Sequence, residues 1–189
     1  MTRQLDIPIP PVRRAISVSW DPAAAFHRFT AEFGDWWPRA THSIGGKRVE
    51  RIVFECWVGG GIIEELNDGR RFQWGKVTEF EPPHRVSFTW HPSREESQAQ
   101  DVEIRFTPEG SGTRVELSST GWERLGVKGG RARKGYHIGW GSVLDVFAGR
   151  RSAAIVIFGL ISGAMTLALR LTGKLEQAID QAGGRLPAR

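Results

Sequence analysis

From residue 49 to about residue 120 the apolar side chains of this chain recur at every second position, and on both flanks they recur at three and four. A period of two places alternate side chains on one face of a strand, and a period near 3.6 places them on one stripe of a helix. A chain ordered in this way must build a sheet with one apolar face and cover that face with helices from its two ends. The expected strands are 12–20, Val49–Phe54, Gly61–Leu66, 71–80, 85–91, 102–106 and 114–119. Most connectors carry turn chemistry, as in Asn67-Asp68-Gly69, Pro82-Pro83 and Glu109-Gly110-Ser111-Gly112. Consecutive strands therefore pair as an antiparallel meander. Alternation turns Phe72 and Trp74 inward, then Val86, Phe88 and Trp90, then Val102, Ile104 and Phe106, then Val115 and Leu117. Gly75, in the middle of its strand, predicts a bulge or a bend.

The flanking helices are equally legible. Asp21-Pro22 supplies an N-cap and a proline at the first helical position. The helix it opens runs toward Gly34 with Ala25, Phe26, Phe29 and Phe33 on one face, and Trp36-Trp37-Pro38 closes it in a turn. After the glycine-rich loop at 126–130, Tyr136, Trp140, Val143, Leu144 and Phe147 share a stripe that needs the concave side of the sheet to bury it. The fold class is α+β. With 189 residues, 40% of them hydrophobic and 25% charged, the chain suits one domain over 12–150, with an extended lead-in at 1–11 and an extension at 151–189.

Composition removes several classes of chemistry. The single cysteine, Cys56, excludes an internal disulfide framework and a cysteine-built zinc site. The five histidines, His27, His42, His84, His91 and His137, have no ligand-type spacing, so neither a metal nor a cofactor is expected. No nucleophile elbow, phosphate-binding loop or dinucleotide glycine pattern is present. The net charge of +5 is concentrated at the end: residues 151–189 hold five basic and two acidic side chains. The body's densest basic stretch, Arg124 to Lys134, is broken by glycines and reads as a solvated loop, so nucleic acid is not an expected partner. MTRQLDIPIPPVRR carries charge and proline where the apolar core of a secretory leader would lie. That and the lone cysteine point to the cytoplasm.

Two groups remain as candidates. Glu64 and Glu65 are adjacent in a strand and must face opposite sides of the sheet. If Ile62, Glu64 and Leu66 share the inner side, Glu64 is an acid in an aromatic-lined space, suited to acid–base work or to anchoring a ligand. The alternative is that it pairs with an arginine such as Arg71 or sits at a cavity mouth. Eight Trp, ten Phe and one Tyr form a heavy aromatic load, and Trp74, Trp90 and Trp140 converge where the last helix meets the sheet. They fill a core there or they line a hollow.

The order of these elements resembles the SRPBCC (START and birch-pollen-allergen-like) superfamily, within it the branch named for activators of the heat-shock-protein ATPase. The resemblance rests on VRRAISVSWDPAAAFHRFTAEFGDWWP, GGGIIEELNDGRRFQWGKVTEFEPPHRVSFTWH, VEIRFTPEGSGTRVELSSTGWERLG and GYHIGWGSVLDVFA. Its most specific part is the pattern G-x-V-x-x-x-x-P-P-x-R-V-x-F-x-W from Gly75 to Trp90. The resemblance implies a helix-grip fold, a bent antiparallel sheet wrapped around a long C-terminal helix. It further implies a cavity between that helix and the sheet for a small hydrophobic or amphipathic ligand. The residues expected to line it are Trp37, His42, Glu64, Phe72, Trp74, Phe88, Trp90, Tyr136 and Trp140. Two other functions fit the superfamily: a cyclase- or hydrolase-type enzyme using Glu64 as acid or base, and a module that stimulates a chaperone ATPase.

The extension departs from that family. SAAIVIFGLISGAMTLAL, residues 152–169, is eighteen residues without charge and apolar all round. As a helix it would reach about 27 Å, against roughly 30 Å of hydrocarbon in a bilayer. It reads as a membrane anchor, in which Gly159 and Gly163 would allow close helix pairing in the bilayer, or else as a buried extension of the closing helix or a helix that forms a homodimer in a soluble protein.

Overall fold

The computed structural model describes residues 8–151. The proposed anchor at 152–169, the rest of the extension and most of the lead-in lie outside the described residues. Among the described residues no helix is long and apolar enough to cross a membrane. The expected strands are all present: β1 (Val12–Val18), β2 (Val49–Phe54), β3 (Gly61–Leu66), β4 (Arg71–Glu81), β5 (Arg85–Trp90), β6 (Gln100–Glu109) and β7 (Gly112–Thr120). They form one antiparallel, curled sheet in the order β1-β7-β6-β5-β4-β3-β2. Only the β1–β7 pairing joins strands distant in sequence. The helical segment after β1 carries the chain from one edge of the sheet to the other, and the meander then returns strand by strand.

All ten side chains turned inward by alternation are buried. β6 and β7 extend beyond the apolar pattern, because Thr107, Pro108 and Glu109 continue to pair with Arg114, Thr113 and Gly112. Backbone pairing needs no hydrophobic side chain, so alternation alone ends the strands too early.

Asp21 caps α1 (Pro22–Thr30) by accepting from the Ala24 N–H at 2.8 Å. The helix expected to reach Gly34 instead stops at Thr30, whose hydroxyl donates back to the Phe26 carbonyl at 2.8 Å. It restarts as α2 (Phe33–Trp36), followed by α3 (Arg39–His42). The break serves packing: Gly34 lies so close to the Ile52 carbonyl of β2 that a Cβ would overlap it. The closing helix α4 (Gly129–Phe147) buries Trp140, Val143, Leu144 and Phe147. Phe147 meets Phe29 and Trp36 edge-on at 5.4 and 5.1 Å, which joins α1, α2 and α4 under the sheet. Arg14 of β1 donates to the His137 carbonyl at 2.8 Å and fixes the helix to the sheet edge.

β4 is where the sheet bends. Ile62 faces Gly75 and Ile63 faces Gln73, so Trp74 is an extra residue, and a second irregularity falls between Val77 and Glu79. At Gly75 the strand crosses so near the Thr89 carbonyl that any Cβ would overlap backbone. Backbone cannot yield as a flexible side chain does. Gly75→Ala is therefore expected to destabilise the domain by about 2–3 kcal/mol, read as a lower urea midpoint at unchanged m-value.

Candidate ligand-binding cleft

Four indoles meet beneath α4. Trp37 lies 5.3 Å from Trp74 and 5.5 Å from Trp90 between ring centroids, and Trp90 lies 5.4 Å from Trp74 and 5.3 Å from Trp140. Trp37 comes from the turn after α2 and fills the hollow that the sequence left open beneath the last helix. The open space is displaced outward as a consequence. A cleft of about 730 Å³ runs beside α4, with Trp37, Thr41 and His42 on the opposite wall and Trp90 and Pro92 at the end of β5.

Five of the nine residues expected to contact a ligand line this cleft: Trp37, His42, Trp90, Tyr136 and Trp140. Glu64, Phe72, Trp74 and Phe88 do not. Each is at most 1% exposed. Trp37 covers Trp74, and Phe54 packs edge-on against Phe88 at 5.7 Å. Alternation assigns a side chain to a face of the sheet but does not say what covers that face.

Glu64 is a structural anchor at the inner wall. One carboxylate oxygen accepts from the Ile44 N–H at 2.9 Å and the other from the Gly45 N–H at 2.5 Å. These bonds hold the loop after His42 against β3. Burial raises its pKa, while the two N–H groups pull the other way; the Trp74 indole N–H, outside hydrogen-bonding geometry, adds a smaller pull. The arginine partner considered for it, Arg71, is engaged by Glu65 on the other face at 2.9 Å.

The polar groups of the cleft are few. His42 Nδ1 and the Thr41 hydroxyl lie 2.8 Å apart, and the Trp37 indole donates to the His42 carbonyl at 3.1 Å. Burial lowers the His42 pKa, so its imidazole is neutral at neutral pH. Across the cleft the Arg94 guanidinium donates to the Tyr136 oxygen at 2.5 Å and lies 5.2 Å from its ring centre. Burial raises the Tyr136 pKa against the pull of Arg94, which keeps the phenol protonated. Arg94 escaped the sequence reading because it sits in a loop with no periodicity. Gly135 and Gly139 also line the cleft; their signal was visible, as two glycines four apart inside a helical stripe. Cys56 lies outside the cleft, and burial pushes its thiol up, away from the nucleophilic form.

Residues 21–150 match the family model of the Activator of Hsp90 ATPase homolog 1-like proteins. The chain belongs to this family. It is thereby an SRPBCC protein of the Hsp90-activator-like branch, as its motifs implied. A search of curated proteins found no match. Among solved structures, the anthrahydroquino-gamma-pyrone synthase Txn09, complexed with SUM, is 33% identical, with a TM-score of 0.53 over 75% of this chain and 97% of that one. The Aha1 dimer of Colwellia psychrerythraea is 16% identical, with a TM-score of 0.50 over 74% of this chain and 97% of that one. Protein BH1534 of Bacillus halodurans is also 16% identical, with a TM-score of 0.54 over 75% and 96%. The last two likenesses establish the shared fold.

The buried Glu64 of this Hsp90-activator-like domain gives stability a pH dependence. Burial holds its pKa above the ordinary 4.5, so the folded state binds the proton more tightly than the unfolded chain does. Its contribution is greatest below that value and is lost as pH rises through the folded pKa. The stability of the wild type minus that of Glu64→Gln should therefore fall from pH 4 to pH 8 in urea titrations. A rising difference would mean that the Ile44 and Gly45 N–H groups outweigh burial.

Proposed function

We propose that this domain binds a small, flat, largely apolar molecule in the cleft beside α4. The observation that carries the reading is the pair Gly135 and Gly139. Both line the cleft, and a Cβ added at either would meet nothing within 4 Å. Neither has the positive φ that calls for glycine. Inside a helix each costs about 1 kcal/mol relative to alanine. α4 thus gives up stability at two positions where the missing side chains deepen a cleft, and packing does not account for them. The lining is largely apolar, with Trp37, Trp90, Pro92, Trp140 and Val143 in it, and the volume of about 730 Å³ suits a small molecule.

A second reading, a ring-closing enzyme working on such a ligand in the same cleft, is favoured by the 33% identity to a protein named as a pyrone synthase. His42 would then take a proton from the ligand, since its imidazole is neutral and on the cleft wall. Glu64, fully buried and absent from the cleft lining, does not face that space.

N-phenyl-1-naphthylamine, a neutral fluorescent aromatic, tests the binding reading. Saturable one-to-one binding with quenching of indole fluorescence is expected. Gly139→Leu should weaken it at least tenfold while raising the Tm by about 2–4 °C through helix propensity. No saturable binding to the wild type, or undiminished binding to the variant, overturns the reading. The enzyme reading is separated by His42→Asn. Protein purified from its source cells should then retain a precursor chromatographically distinct from the ligand held by the wild type, whereas a carrier would retain the same molecule in both.

A further inference from the structure

The polar groups around the cleft are unbalanced in a way that specifies its ligand further. None of the lining side chains is a carboxylate, while Lys128 and Arg131 are basic. Both are exposed, and neither is paired with a carboxylate among the described residues. With Gly135 and Tyr136 they follow the i, i+3, i+7, i+8 spacing of a single helix face. Thr41 and His42, 2.8 Å apart, add no negative charge to the lining.

The other polar groups are donors. The Tyr136 oxygen already accepts from Arg94 at 2.5 Å, which leaves the phenolic O–H to donate. Trp140, 3% exposed and part of the lining, has an indole N–H with no acceptor among the described residues. Indole, phenol, ammonium and guanidinium groups all call for an acceptor, and a buried donor left without one is unfavourable. An anionic oxygen group at the start of α4 satisfies the two cations, and charge-assisted bonds of that kind are the stronger class; the Trp140 N–H, about 18 Å farther along the helix, is out of reach of the same group.

We infer that the ligand is an acidic aromatic molecule whose anionic oxygen group, of carboxylate, phenolate or sulfonate type, sits at the Lys128–Arg131 end of the cleft while its rings lie on the indoles. This rests on the binding reading above and narrows it from apolar molecules in general to aromatic acids.

Two probes with the same rings separate the two ideas. 8-Anilinonaphthalene-1-sulfonate carries a sulfonate that N-phenyl-1-naphthylamine lacks. Titrated against the full chain, the double variant Lys128→Gln/Arg131→Gln should bind the sulfonate about five- to tenfold more weakly and the neutral probe within twofold of wild type. Lys134→Gln, exposed on α4 but outside the cleft, should change neither, and 0.5 M salt should weaken only the sulfonate. Equal effects of the double variant on both probes, or none on the sulfonate, overturn the inference and leave the binding reading standing. Sulfonate binding that survives Gly139→Leu lies outside the cleft and overturns it as well. If neither probe binds the wild type, both ideas fall together.

Discussion

The Trp37 side chain decides the shape of this domain's interior. Its ring stacks on Phe33 at 4.8 Å, lies against Trp74 and Trp90, and its N–H is satisfied by the His42 carbonyl. A curled sheet covered by a single long helix leaves a hollow between them, and here a residue from a different element fills it. Each such ring pair adds about 0.5–1.5 kcal/mol beyond the area it buries. The four indoles therefore pack as one cluster, and the open space lies outside it, against Trp37, Trp90 and Trp140.

That arrangement requires the chain from Trp37 to β2 to be held firmly, and Glu64 supplies the hold. A carboxylate at 0% exposure is costly unless its oxygens are engaged; both are, by the N–H groups of Ile44 and Gly45. A Cβ at Gly45 would press on a terminal methyl of Leu66, which lies in the same strand as Glu64, and that side chain would have to shift. The path of influence runs from strand to loop to cleft wall: β3 fixes Glu64, Glu64 fixes Ile44 and Gly45, and these fix the place of His42. A residue that looked like chemistry is instead the clamp that positions the residues facing the cleft.

The sheet and its inward residues were legible because alternation and turn chemistry are local signals. β2 and β3 have the bounds read from the sequence, and every residue assigned inward is buried. The bend at Gly75 was legible too, although not its cause, the nearness of the Thr89 carbonyl. The site was less so. Local pattern gives the face a side chain occupies, whereas lining a cleft depends on which distant element lies over that face. Trp74 and Trp90 carry the same inward signal in neighbouring strands and Trp37 packs against both, yet only Trp90 lines the cleft. Arg94 acts on Tyr136 across 42 residues, a pairing that no spacing rule encodes.

The division of labour between floor and wall also bears on how one family fold can host different functions. The indole floor belongs to the core, so changing it would change the stability of the whole domain. The wall is different: Arg131, Gly135 and Gly139 occupy one face of α4, and none of them is fully buried. A substitution there alters the depth or charge of the cleft while leaving the sheet, the clamp at Glu64 and the aromatic cluster intact. Even filling a glycine would raise helix propensity. On the binding reading proposed above, the residues that would set specificity lie on this face of the last helix, where change costs little in folding.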